Sequence, residues 1–172
     1  MTQDSDVEEL PGDPLVREFL WIHSMVRHDL QAVRDLVAAI NAGVATETVQ
    51  DTIRSLQTLS PLWQLRVNCL RYCRFVHAHH GLEDVQLFPA LRRSDPSLGP
   101  TVDRLEADHR AVSDLLDDVE ALAVQLGPSD DEGVRAQLVN ALEKLSEVLL
   151  AHLDFEEGSI IPTMRRWTHW PT

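Results

Sequence analysis

Two stretches of this chain carry residues that can do chemistry together. The first is His79-His80-Gly81-Leu82-Glu83-Asp84, followed by Leu87-Phe88-Pro89. The second is His152-Leu153-Asp154-Phe155-Glu156-Glu157, followed by Ile160-Ile161-Pro162. Each reads His-x-x-x-Glu, then an acid, then an apolar pair and a proline. Helical residues four apart share a face, so each stretch aims an imidazole nitrogen and a carboxylate oxygen at one place. That is half of a metal site, written twice. Iron, manganese and zinc all accept such a mixed nitrogen and oxygen set.

Helices must position these pairs, and apolar residues at steps of four and three supply them. The first helix should run from about residue 14 to 40, with Pro14 in its first turn. Its seam is Phe19, His23, Val26, Leu30, Val33, Val37 and Ile40. Residues 46–58 read as a short amphipathic helix, and Ser60-Pro61 caps and starts the second long helix. That seam is Leu65, Cys69, Tyr72, Val76, His79, Glu83. After a loop over residues 95–100, the third helix carries Val102, Leu105, His109, Val112, Leu116, Val119, Ala123. Gly127-Pro128-Ser129-Asp130 should end it and cap the fourth, which carries Leu138, Leu142, Leu145, Leu149, His152, Glu156. The fold expected is all-α, an up-down-up-down four-helix bundle over residues 14–162 with an extra short helix between its first two members. Residues 1–13 read as a flexible acidic arm. Residues 163–172 form a Trp-rich tail that either packs back on the bundle or docks on a partner protein.

The two halves match. Pro14 precedes His23 by nine residues, and Pro100 precedes His109 by nine. Valine, leucine and valine follow each histidine at the same offsets, and Glu83 and Glu156 each precede a proline by six. This internal repeat selects His23 over His28. It selects His79 over His80, because His80 aligns with Leu153. In an alternating bundle, the start of one helix lies level with the end of the next. His23, His79, Glu83, His109, His152 and Glu156 then fall in one layer at one end. Four imidazoles and two carboxylates can hold two metal ions, with the glutamates bridging and coordination positions left open. His80 and Asp84 are placed to orient the ligands by hydrogen bonds. His28, His77 and His169 read as surface groups or as neighbours that orient the ligands.

A length of 172 residues with 44% hydrophobic content suits one globular domain. The net charge of −13 repels phosphate, which argues against nucleic acid and anionic membrane as partners. Cys69 and Cys73 read as reduced thiols. The acidic N-terminal residues do not resemble a secretory signal, and no apolar run reaches membrane-span length. The expected location is cytoplasmic.

The combined pattern H…HxxxE…H…HxxxE resembles the hemerythrin-like, or HHE cation-binding, family. The strings around His79, Asp108-His109-Arg110 and Ile22-His23-Ser24-Met25-Val26-Arg27 carry the likeness, the last being similar to actinobacterial members. The resemblance implies a four-helix bundle with two non-haem irons, oxo- or hydroxo-bridged, in contact with O2, peroxide or nitric oxide. It favours iron over manganese or zinc. Oxygen-carrying hemerythrins have a second third-helix histidine four residues from the first; here those places are Leu105 and Ser113. Their fourth-helix carboxylate is an aspartate five residues after the histidine, whereas here it is Glu156, with Glu157 in the fifth place. A more carboxylate-rich, open centre favours redox or peroxide turnover over reversible O2 carriage: peroxide reduction or O2 activation with an electron donor, or catalase-like disproportionation. The alternative is a module that binds, stores or senses O2, nitric oxide or iron without turnover. Tyr72, two turns below His79, is a candidate donor to the centre or a core tyrosine, and Glu106 a candidate extra ligand or a solvated acid.

Overall fold

The computed structural model describes residues 9–41, 61–125 and 131–171. The short helix expected at 46–58 lies outside them. Most of the described residues are helical, with no strand among them. Helix α1 spans Asp13–Asn41, and α2 spans Pro61–Leu82. A π turn over Glu83–Leu87 carries α2 on into α3, Phe88–Ser94. A 3-10 turn, Pro96–Leu98, leads to α4, Gly99–Gln125, and α5 spans Glu132–Met164.

The long helices form a ring in the order α1, α2, α4, α5, with α5 back against α1. His23 lies early in α1 yet meets His79 at the end of α2, and His109 lies early in α4 yet meets His152 late in α5. Neighbours in the ring therefore run in opposite directions, as the sequence pattern predicts.

The core is two apolar clusters rather than one. The larger holds Val26, Leu30, Cys69, Val76, Val112, Leu116, Leu142, Leu149 and Leu153 among others. The smaller holds Val16, Phe19, Phe88, Leu91, Leu105, Ile160, Met164 and Trp167. Every seam crosses from one to the other through a histidine: Phe19–His23–Val26 on α1, Leu105–His109–Val112 on α4. The polar layer is thus sandwiched near one end of the bundle, with an apolar lid beyond it.

Several boundaries differ from the sequence reading. Helix α5 runs through Pro162 to Met164, because a proline near a helix end forfeits a single intrahelical bond and the last turn closes through Arg165 N–H to the Ile161 carbonyl. The α5 cap is Asp131, the residue after the segment expected to cap it; its Oδ1 accepts from Gly133 N at 2.8 Å and Val134 N at 3.1 Å. Residues 10–13, placed in the arm, are tied down: Gly12 N donates to the Arg165 carbonyl at 3.0 Å and Leu10 N to Asp13 Oδ2 at 2.8 Å. The tail packs back, at least through Trp167, which is buried in the smaller cluster. Its neighbour Trp170 stays half-exposed, edge-on to Trp167 with ring centroids 5.5 Å apart.

Candidate metal centre

All six residues expected as ligands are buried, and they converge. His23 comes from α1, His79 from the last turn of α2, Glu83 from the first residue of the π turn, His109 from α4, and His152 and Glu156 from α5. Glu83 Oε1 lies 3.3 Å from His79 Nε2 and 3.7 Å from His23 Nε2, while its Oε2 lies 3.5 Å from His109 Nε2. Glu156 Oε2 lies 3.5 Å from His23 Nε2 and 3.7 Å from His152 Nε2. Each carboxylate therefore reaches toward imidazoles of both halves of the chain.

None of these Nε2 atoms and neither oxygen of either glutamate has a hydrogen-bond partner among the described residues. Orphaned buried polar atoms cost free energy, and natural proteins leave few of them. Two donors on one ion at about 2.1 Å stand roughly 3.0 to 4.2 Å apart, depending on the angle between them. The observed separations fall in that range, so the residues fit a shared cation. Donor atoms within 4.8 Å of one another define three groups among the described residues: His23, His79, Glu83; His80, His109, His152; and Glu83, His109, Glu156. The third joins the first two.

Charge supports the same fit. Burial pushes His79 and His152 down to about 3, and lowers His23 and His109 against the pull of Glu157 and Asp84. Burial also raises Glu83 and Glu156, helped by Glu156 on the former and by Glu157 on the latter. Neutral imidazoles are ready ligands. A cation in their midst would reverse the penalty on the carboxylates.

The repeat extends one residue further than the ligands. Asp84, next after Glu83, lies 2.8 Å from His109 Nδ1, and Glu157, next after Glu156, lies 2.8 Å from His23 Nδ1. Each acid fixes the lone histidine of the other hairpin and so leaves its Nε2 facing the layer. Arg27 in turn holds Glu157 at 2.7 Å and Asp154 at 2.8 Å. Asp84 was expected in this role; Glu157 was not, and its signal is that it matches Asp84 in the repeat. Asp108 stands 3.9 Å from His152 Nδ1, too far to bond it.

Other candidates fall outside. Tyr72 packs in the larger cluster with its hydroxyl unpartnered, and its ionisation is pushed well up by burial. Glu106 pairs with Arg92 at 3.3 Å, and His77 pairs with Asp117 at 3.3 Å. Cys69 and Cys73 are free and buried. A cleft of about 220 Å3 reaches His79 and Glu83 from outside, lined also by Leu15, Phe19, Ile22, Leu82, Leu87 and Trp170.

A four-helix bundle with a buried, unpartnered His/Glu layer near one end defines a metal-binding helical bundle. The chain belongs to the hemerythrin family: the model of the hemerythrin HHE cation binding domain matches residues 15–164. No curated protein and no solved structure gives a significant match. Among the described residues no helix is long and apolar enough to cross a membrane.

Proposed function

We propose that this protein holds two iron ions in the His/Glu layer and turns over O2 or peroxide there. The observation that carries the dinuclear reading is the pair of donor groups, His23/His79/Glu83 and a second built on His109 and His152, spanned by Glu83 and Glu156. Bound iron would supply electron transfer to and from a small oxidant. The chain's own contribution is to orient His23 and His109 through Glu157 and Asp84, and to keep bulk water out with the two apolar clusters. The cleft at His79 and Glu83 gives a small molecule such as O2 or peroxide a route to the layer.

A module that binds O2, nitric oxide or iron without turnover is the second reading. What favours it is the path from His23 through Glu157 and Arg27 to Asp154, a surface carboxylate that could report the state of the centre. The test begins with anaerobic ferrous loading and metal counting, followed by peroxide consumption beyond the two electrons that the loaded iron can supply, with and without a small added reductant. About two irons per chain with peroxide loss that fails in a Glu83→Ala variant supports turnover. Two irons with no peroxide loss favours the second reading, and no bound iron refutes both.

A further inference from the structure

We propose that His80 is a fifth imidazole ligand of the centre, completing an all-histidine group with His109 and His152. This rests on the metal-binding reading above. The repeat aligns His80 with Leu153, and Leu153 does what the repeat expects: it is fully buried in the larger apolar cluster. His80 is equally inward, at 5% exposure, but it lies against imidazoles. Its ring stacks on His109 with centroids 4.0 Å apart and planes 8° from parallel, and it meets His152 edge-on at 5.2 Å. Stacked rings share no plane, so the His80 ring must turn about its Cβ–Cγ bond for both rings to face one ion. Its Nε2 is buried and has no partner among the described residues. Donor nitrogens of His80, His109 and His152 lie within 4.8 Å of one another.

Packing alone does not account for this. Phe88 already stacks on the His109 ring at 5.0 Å, so an aromatic neighbour with no nitrogen is available to the same fold. A phenyl group at position 80 would avoid the cost of an unpaired buried nitrogen. Successive helical residues point about 100° apart, and here that turn separates the neighbours. His79 faces His23 and Glu83, whereas His80 faces His109 and His152. The two metal positions are therefore unlike. One is built on His23, His79 and Glu83, and the other on three imidazoles, so it is richer in nitrogen.

The test uses the full chain with His80→Phe, which keeps the stacked ring, and His80→Ala, which opens a space for free imidazole. Metal-free proteins are titrated anaerobically with ferrous iron against a chelator, and bound iron is counted. The proposal expects wild type to bind two ions and His80→Phe to keep one unchanged. Losing an orienting group costs about 10- to 100-fold in metal affinity, so losing a ligand should weaken the other ion about 100-fold or more. Free imidazole should restore that ion in His80→Ala and leave His80→Phe unchanged. Wild-type affinity for both ions in folded His80→Phe overturns the proposal. If His80→Phe does not fold, absence of imidazole rescue in His80→Ala overturns it. A wild-type chain that binds no iron instead refutes the metal-binding reading beneath it.

Discussion

Replacing Glu156 by leucine should make the metal-free protein more stable while weakening its response to metal. Glu156 is fully buried, and both its oxygens lack partners among the described residues. Each unsatisfied buried polar atom costs about 1–3 kcal/mol. Exchanging buried ionic groups for apolar residues of similar volume commonly stabilises by about 1–4 kcal/mol. Leucine is close to glutamate in volume and in helix propensity, and it would join Leu149, Leu153 and Ile160 on α5. A gain of about 2 kcal/mol is expected, which for a chain of this size raises Tm by about 4–8 °C. Saturating metal works the other way. At a free concentration 100 times Kd, one bound ion stabilises wild type by about 2.7 kcal/mol, and the variant should lose most of that. Calorimetry on chelator-treated and iron-loaded samples of both proteins reads all four values. A metal-free variant less stable than metal-free wild type would refute the reasoning, since Glu156 would then have a partner in the folded chain.

Asp84→Asn and Glu157→Gln should each weaken iron binding about 10- to 100-fold with little change in fold; chelator competition with unchanged affinity would remove their orienting role. Gly12→Ala should destabilise by more than about 1 kcal/mol, because a Cβ there would stand 1.9 Å from the Met164 carbonyl oxygen; an unchanged urea midpoint would mean that contact is not kept in solution. Tyr72→Phe should leave the metal-free protein as stable or about 1 kcal/mol more so, whereas a clear loss would show that the hydroxyl is bonded. Burial pushes Cys69 and Cys73 up to about 12 from the ordinary thiol value of 9.0. The folded chain stays protonated there while the unfolded chain ionises, so these thiols contribute a loss of stability as pH rises from 9 toward 12. At pH 8 both should resist a thiol reagent until the protein is unfolded, and rapid labelling of the native chain would contradict their burial.

The helical seams were legible because a buried stripe imposes its period on residue type, and polar residues in it stand out. His23, His109 and the two His-x-x-x-Glu pairs were found that way, and all six lie in one layer. His80 was assigned an orienting role instead, because the repeat pairs it with a leucine. A repeat describes what two halves share, and His80, packed against His109 and His152, is a place where they differ. Glu157 was noted only as standing in for an aspartate, because its partner is His23, 134 residues away. The π turn at Glu83–Leu87 left no mark in the periodicity; its effect is a bond from Phe88 N–H to the Glu83 carbonyl, one residue longer than an α-helical bond.

The lid beyond the layer was not legible in the seams, and the sequence left open whether the tail packs back on the bundle. A ligand layer at the open end of a bundle would be wet, and wet carboxylates would need neither a cation nor a raised pKa. Here Val16, Phe19, Phe88, Leu105, Ile160 and Trp167 close that end. Trp167 comes from beyond Pro162, and it is held by a chain reversal in which its N–H donates to the Met164 carbonyl at 3.0 Å. The same short segment accepts the Gly12 N–H, so the start of α1 and the end of α5 are fastened together over the centre. The tail and the first turn of α1 therefore bear on the site without supplying a ligand. They cover the layer apart from the cleft that reaches His79 and Glu83, and burial is what makes an unpartnered carboxylate layer costly without a cation.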